Sequence, residues 1–235
     1  MVGGNVNEQS YRQSKYYDLV AVAFVSLLII SNIVATKLIG IDFGWYQLIF
    51  DGGAICFPVT YILGDVMSEV YGFKASKRII TVGFIVSILA SIIFYIVQIA
   101  PAGPGYENQS AYEAVLGFVP RIVVASLVGY FAGQVLNSFV LVKIKKRAGE
   151  KNLWVRLIAS TLVGEAADTL IFCTIAFYGI ITGGEFANYC ITGYVYKTLV
   201  EVVMLPVTYR VIAFVKKHEH SYYLKNNIEE NEVYK

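Results

Sequence analysis

Residues 79–100 read IITVGFIVSILASIIFYIVQIA, a run of 22 residues without a charged side chain. A hydrocarbon core about 30 Å thick needs about 20 residues of α-helix, so this run is long enough to cross a bilayer. Residues 19–36 and 122–142 form two further uncharged runs, of 18 and 21 residues. These three runs predict three transmembrane helices.

Three more apolar stretches, at about 52–71, 157–183 and 187–212, contain charges but are too long and too apolar for surface helices. The chain is 57% hydrophobic and only 15% charged, against about 25% charged residues in soluble domains. The sequence therefore predicts an all-α, polytopic bundle of six transmembrane helices. Helix breakers in DGGAICFP, residues 51–58, predict a broken or re-entrant start of span two, and the proline-rich segment 101–120 predicts a loop.

The basic residues indicate the orientation. Of the 19 lysines and arginines, 16 lie in alternating connecting segments, whereas segments 41–53, 101–120 and 184–189 contain none. Positive charge is concentrated in cytoplasmic loops, so this pattern predicts six spans with both termini in the cytoplasm. The predicted organisation is a cytoplasmic tail at 1–18, a transmembrane domain at 19–215 and a second cytoplasmic tail at 216–235.

Eight charged side chains fall inside or at the ends of the predicted spans. They are Asp65, Glu69, Glu165, Asp168 and Glu201, together with Lys37, Arg121 and Lys197. An unpaired charge at the bilayer centre costs roughly 2.5–3.5 kcal/mol on insertion scales, so such groups must pair, contact water or lie near an interface. Arg121 and Glu69 lie near interfaces. The excess of acids over bases calls for protons, a cation or a donor-rich ligand.

The polar side chains share helix faces. Residues three or four apart on a helix are neighbours, and the pairs with this spacing are Asp65–Glu69, Glu165–Asp168, Lys197–Glu201, Gln134–Asn137 and Asn32–Thr36. Five spans thus have a polar stripe and only span three lacks one, which predicts a hydrated cavity. Some of these residues could instead have a purely structural role. Lys197 would then pair with Glu201, and the amide side chains would form hydrogen bonds with neighbouring helices.

Two further patterns concern packing and symmetry. Gly129 and Gly133 form a G-x-x-x-G, which favours close approach of helices. Gly-Asp at 64–65 in span two is echoed by Gly-Glu at 164–165 in span five. These are the middle spans of the two halves and run in opposite directions, which is compatible with a 3 + 3 inverted repeat.

The chain lacks the motifs of several functional classes. It has no G-x-x-x-x-G-K-[ST] for ATP, no G-x-S-x-G and no H-E-x-x-H. Its three cysteines have no metal-like spacing, and its two histidines lie in the C-terminal tail. The net charge of +2 does not indicate a nucleic-acid partner. We therefore predict neither an enzyme nor a protein that needs a cofactor or metal.

Five stretches together resemble the queuosine-precursor transporter family, also described as the vitamin uptake transporter family. They are SNIVATK (31–37), FPVTYILGDVMSEVYG (57–72), GYFAGQVLNS (129–138), GEAADT (164–169) and KTLVEVVMLP (197–206). The resemblance covers most of residues 25–210, and the acidic tail after residue 218 lies outside it. It implies import of 7-cyano-7-deazaguanine or its aminomethyl relative for salvage into tRNA queuosine.

The resemblance and the polar stripes give ten candidate substrate-binding residues. They are Asn32, Lys37, Asp65, Glu69, Gln134, Asn137, Glu165, Asp168, Lys197 and Glu201. A guanine-like edge offers an amine and a ring N–H that a carboxylate accepts, whereas its carbonyl needs a donor such as an amide or lysine. We expect the carboxylates of spans two, five and six to accept, the amides and Lys197 to donate, and Tyr or Phe to stack on the ring.

Several alternatives stay open at this point. The chain could be the substrate-binding membrane subunit of an ATPase-dependent vitamin importer, or an importer of another purine-like base. A membrane enzyme or an assembly protein is disfavoured, because the first lacks a nucleophile and the second does not need buried acids. Proton coupling and facilitated diffusion both fit, as do a monomer and an oligomer. The expected location is the cell membrane.

Overall fold

A computed structural model describes residues 14–148 and 153–219 of the chain. Within these residues, five helical stretches are long and apolar enough to cross a membrane. They are Tyr17–Val34, Phe73–Ile99, Gln109–Ile144, Ile158–Phe177 and Gly183–His218. The predicted class, a membrane bundle of α-helices, is confirmed. The sixth span, the orientation and the repeat stay predictions.

In chain order the helices are α1 (Tyr17–Val34), α2 (Phe57–Val66), α3 (Phe73–Ile99), α4 (Gln109–Val115), α5 (Val119–Ala148), α6 (Leu153–Phe177) and α7 (Gly183–His218). Between α1 and α2 lie two strands, β1 (Leu38–Asp42) and β2 (Gln47–Asp51). They form an antiparallel hairpin in which Leu38 pairs with Asp51 and Asp42 pairs with Gln47.

The predicted second span consists of three short helical pieces. A 3-10 turn (Gly52–Ile55) precedes α2, and a π-helical turn (Met67–Tyr71) follows it. With 10 residues, α2 is about 15 Å long, half the thickness of the hydrocarbon core. Pro58 occupies the first turn of α2, where its missing N–H leaves no helical bond unmade. The helix is therefore interrupted at the start of this segment, as its glycines and proline predicted.

Two of the connecting segments contain regular structure. The hairpin occupies most of segment 41–53, and α4 lies inside segment 101–120. In the hairpin turn Gly44 has a φ of 82°, a conformation that favours glycine, and its amide donates to Asp42 Oδ1 at 2.7 Å. The loop predicted at 101–120 is therefore present at 101–108 but not at α4, because proline, glycine and polar residues also occur around short helices.

Glycines bring α5 and α6 into close contact. A Cβ on Gly133 would lie 2.9 Å from the carbonyl oxygen of Gly164 and 3.0 Å from Asp168 Cβ. A Cβ on Gly129 would lie 2.8 Å from Asp168 Oδ1. The G-x-x-x-G of α5 thus packs directly on α6, as expected from small residues at this spacing. This contact sets Asp168 between the two helices.

Two hydrophobic clusters lie at opposite ends of the bundle. One surrounds Val66, Met67 and Tyr71, where α2 ends and α3 begins. The other surrounds Phe177 and Tyr189 and lies next to the hairpin. We call these the π-turn end and the hairpin end. Polar side chains and an open space occupy the region between them.

Candidate functional site

A cavity of about 420 Å³ lies between the two clusters. The hairpin and helices α1, α2, α3, α5, α6 and α7 all contribute to its wall. Small-molecule sites are commonly concave spaces of about 300–1,000 Å³. Half of the ten predicted residues line this cavity: Asn32, Asp65, Gln134, Asp168 and Lys197.

An ion pair between α6 and α7 forms part of the wall. Lys197 Nζ lies 2.7 Å from Asp168 Oδ2, and the two side chains are 22% and 23% exposed. The same ammonium lies 5.8 Å from the centroid of the Phe57 ring, within the range of a cation–π contact. The alternative partner on its own helix, Glu201, is not the one that Lys197 contacts. The pair therefore links two helices and also faces the cavity.

Three predicted residues do not line the cavity but belong to helices that do. Glu165 is half-buried, and its Oε2 has no hydrogen-bond partner within residues 14–148 and 153–219. Glu201 is half-buried and close enough to Asp65 for the two carboxylates to repel each other. The side chain of Asn137 packs against Gly164 at the contact between α5 and α6.

The other two predicted residues lie away from the cavity. Lys37 is exposed in the connection between α1 and β1, where its carbonyl accepts from the Gly52 amide at 2.9 Å. Glu69 lies at the π-turn end with its side chain 59% exposed, and its Oε1 is 2.6 Å from Lys216 Nζ. Glu69 thus connects the π-helical turn to the end of α7.

Asp51 belongs to the wall but was not among the predicted residues. Its Oδ2 accepts a hydrogen bond from the Tyr189 hydroxyl at 2.6 Å, and its Oδ1 accepts from the Gly53 amide at 2.8 Å. Burial raises the pKa of this carboxyl, although the hydrogen bonds from Tyr189 and Gly53 act in the opposite direction. Its place just before two glycines, outside the apolar runs, made it look like a loop residue.

Helix α3, which contains most of the predicted span at 79–100, also contributes polar groups. Ser76 lines the cavity and lies 3.0 Å from the hydroxyl of Ser68. Ser87 accepts a hydrogen bond from the Asn32 side chain at 3.4 Å. Asn32 therefore has a partner on a neighbouring helix as well as a place on the wall. Ser87 lies within the apolar run and Ser76 just before it, and a search for charges and amides passed over both.

Aromatic rings flank the polar groups. Phe84 and Tyr130 lie with centroids 5.4 Å apart, and Phe57 and Tyr61 with centroids 6.1 Å apart. All four residues line the cavity. Aromatic rings present faces on which planar groups stack, and carboxylates and ammonium groups hydrogen-bond to polar edges, so the wall combines both kinds of contact.

The cavity is closed at the hairpin end and accessible at the π-turn end. At the hairpin end its lining residues Ala35, Ile122 and Tyr189 are at most 2% exposed. The lining residues Ser68 and Gln134, further toward the π-turn end, are exposed.

The family of the chain follows from its sequence as a whole. A family model described as "Putative vitamin uptake transporter" matches residues 51–211, well over half of the chain. The chain belongs to this family. Residues 51–211 include the cavity wall from Asp51 to Lys197 and all of α2 and α6.

Individual relatives are bacterial transporters. A protein of Bacillus subtilis (strain 168) named "Probable queuosine precursor transporter" is 26% identical over 170 residues, 72% of this chain and 74% of its own length. The "Queuosine precursor transporter" of Escherichia coli (strain K12) is 28% identical over 163 residues, 68% of this chain and 71% of its own. No solved structure gives a significant match. The family description and the names of these relatives are those of transporters and not of enzymes. Together with the five long apolar helices, they identify this member of the vitamin uptake transporter family as a multi-pass membrane protein and not an enzyme.

Proposed function

We propose that the protein imports a queuosine precursor, 7-cyano-7-deazaguanine or its aminomethyl relative, across the cell membrane for salvage into tRNA. The observation that carries this proposal is the Asp168–Lys197 pair, half-buried on the wall of a cavity that also presents aromatic rings. The names of the bacterial relatives support the same substrate class.

The chemistry of the wall suits such a base. A guanine-type ring carries an amine and a ring N–H, which carboxylates such as Asp65 and Asp168 accept. Its carbonyl accepts from a donor, and Lys197, Asn32 and Gln134 supply donors on the wall. The flat ring has faces for Phe57 or Tyr130. The wall therefore offers every kind of contact that the ring needs.

The proposed topology has six spans, with the segment at 52–71 as the second, and a transmembrane domain at 19–215 between cytoplasmic tails. Both tails then lie on the side of the π-turn end. The accessible end of the cavity faces the cytoplasm in this arrangement, and the closed hairpin end faces outward. Import by alternating access would require the hairpin end to open and the π-turn end to close.

Energy coupling is the second part of the proposal. Asp51, Asp65 and Asp168 line the cavity, against one lysine. Protons or the N–H groups of the ligand would balance this excess of carboxylates. Uptake that follows an imposed pH gradient would support proton coupling, whereas uptake independent of the gradient would support facilitated diffusion with trapping in the cytoplasm.

A complementation assay tests the proposed function. The chain is expressed in a bacterium that can neither make nor import the precursor and lacks vitamin-importer ATPases. The base is supplied at low concentration and tRNA is assayed for queuosine. We expect restored modification with the wild-type chain and with Glu107→Ala, an exposed acid in the 101–108 segment. We expect none with Asp168→Asn or Asp65→Ala at equal protein levels. No restoration by inserted wild-type protein would contradict the proposal.

A further inference from the structure

Asp65 is a carboxylate without a partner in the described part of the chain. No hydrogen-bond donor and no lysine or arginine contacts it there. The charges that act on it are the carboxylates of Glu201 and Glu69, which repel it. A charge left unpaired in a membrane domain is costly, and like charges beside it add to the cost. A cationic group placed at Asp65 would relieve both effects.

The lysine of the cavity wall serves other acids. Lys197 is the only basic residue among the described residues that line the cavity. Its Nζ contacts Asp168 at 2.7 Å, and Glu165 and Asp51 attract the same charge from further away. It does not act on Asp65, since both charges that do are negative. The wall therefore has one acidic position that the lysine leaves without a cation.

The oxygens of Asp65 are accessible. Asp65 is half-buried and forms part of the cavity wall. In the described chain, the side-chain atoms that are both sealed from solvent and without a partner belong to Glu165, Thr169 and Thr208. The oxygens of Asp65 also lack a partner but are not among these atoms, so they are not sealed. A ligand in the cavity can contact them.

Asp65 and the ion pair are close enough for one small molecule to contact both. Asp65, Asp168 and Lys197 line the same cavity of about 420 Å³. Glu201, which acts on Asp65, follows Lys197 by four residues of α7, a rise of about 6 Å. A 7-deazaguanine has its polar edge on the six-membered ring and its 7-substituent on the five-membered ring. A base bound by that edge at the ion pair can therefore place its 7-substituent at Asp65.

We propose that Asp65 binds the ammonium group of a cationic substrate, and that the site thereby selects 7-aminomethyl-7-deazaguanine over the uncharged 7-cyano base. An alkylamine is protonated at neutral pH, as lysine is. Its ammonium donates a charge-assisted hydrogen bond to a carboxylate, whereas a nitrile has no hydrogen to donate. This assignment rests on the proposed function. It names which of the two precursors the protein selects, and it leaves the ring edge to Asp168.

The test measures binding to purified protein in detergent at neutral pH. The probes are the aminomethyl base, the cyano base and the hydroxymethyl base, which matches the aminomethyl base in size but has no charge. We expect the wild type to bind the aminomethyl base roughly ten- to hundredfold more tightly than either uncharged base, the equivalent of one hydrogen bond to a charged group.

Three variants assign this preference to one side chain. Asp65→Asn removes the charge with little change of shape, and should lose the preference by weakening the aminomethyl base alone. Asp65→Glu keeps the charge and should keep the preference. Glu107→Gln removes an exposed acid of the 101–108 segment and should bind all three bases as the wild type does.

The outcomes separate this assignment from the proposed function. Equal binding of the three bases by the wild type, or an unchanged preference in Asp65→Asn, overturns the assignment while the proposed function stands. Equal loss of all three bases in a folded Asp65→Asn protein also overturns it, because the carboxylate would then bind the ring that they share. If Asp65→Asn does not fold, equal affinity of the wild type for the aminomethyl and hydroxymethyl bases overturns it. A wild type that binds none of the bases overturns the proposed function, and the assignment with it.

Discussion

Lys197 lies among three carboxylates. Its Nζ contacts Asp168 at 2.7 Å, and Glu165 and Asp51 attract the same charge from further away. Removing a lysine from such a place leaves acids in a poorly solvated region without a cation. Lys197 therefore contributes to the stability of the helix pair as well as to the cavity.

We predict that Lys197→Met lowers the free energy of unfolding by about 2–3 kcal/mol, because Asp168 then lacks its cation. The double variant Lys197→Met, Asp168→Asn should regain much of this loss, since no charge is left unpaired. Neither variant should import the base. Thermal unfolding in detergent and uptake in cells measure the two effects. Lys37→Met, at an exposed lysine, serves as the control, and a Lys197→Met protein as stable as the wild type would refute the prediction.

The sequence revealed some residues of the site and hid others for physical reasons. Asp65, Asp168 and Lys197 stand out because a charge within an apolar run is costly. The partner of Lys197 could not be predicted, since it depends on how α6 packs against α7. Asp51 lies one residue before the predicted second span at 52–71, so it was not counted among the charges within spans.

At the scale of elements, the hairpin covers one end of the cavity through contacts with α7. Asn188 Nδ2 donates to the Gln47 carbonyl at 2.7 Å, and the Tyr189 hydroxyl donates to Asp51 at 2.6 Å. The Tyr196 hydroxyl donates to the Ala54 carbonyl at 2.9 Å in the 3-10 turn. These bonds hold the hairpin and the turn against one face of α7. Opening this end would require them to break.

We predict that Tyr189→Phe loosens the hairpin end without unfolding the bundle. Loss of a hydrogen bond to a carboxylate should speed amide exchange in residues 48–55 by roughly tenfold or more. Tyr194→Phe provides the control, because that hydroxyl lies 3.4 Å from the Leu162 carbonyl in α6 and does not contact the hairpin. Hydrogen–deuterium exchange read by mass spectrometry gives the comparison. Equal exchange rates in both variants would show that the tyrosine bond does not hold the hairpin.

Sequence patterns predicted the long helices better than these short elements. Runs of about 20 apolar residues have few structural alternatives. The strands LIGID and QLIFD are five residues each, and their pairing depends on a turn at Gly44 and on docking to α7. The glycines of α5 and α6 were informative, because close helix contact requires small residues at regular spacing.

At the scale of the whole molecule, Glu219 joins the two ends of the described chain. Its carboxylate is fully buried and accepts from the amides of Lys15 and Tyr16, at 3.0 and 3.1 Å, and from the Tyr71 hydroxyl at 2.9 Å. A carboxylate at the start of α1 also interacts favourably with the helix dipole. The last helix is thus attached to the first helix and to the π-helical turn.

We predict that Glu219→Ala lowers the free energy of unfolding by about 2 kcal/mol or more, because buried donors lose their acceptor. Glu185→Ala removes an exposed glutamate from the other end of α7 and should cost less than about 1 kcal/mol. Thermal unfolding of both variants in the same detergent measures the difference. Similar stability of the two proteins would mean that the contacts of Glu219 contribute little.

The bonds from Glu219 to Lys15 and Tyr16 also bring the first and last described residues of the chain close together. The helices could then keep the same contacts with one another even if they followed one another in a different order along the chain. If the two ends were joined and the chain opened near Gly103, where space is free around the backbone, a circular permutant would retain the same neighbours. In that permutant α5 would leave the ribosome before α1, so the native contacts would have to form although the two halves of the bundle enter the membrane in exchanged order.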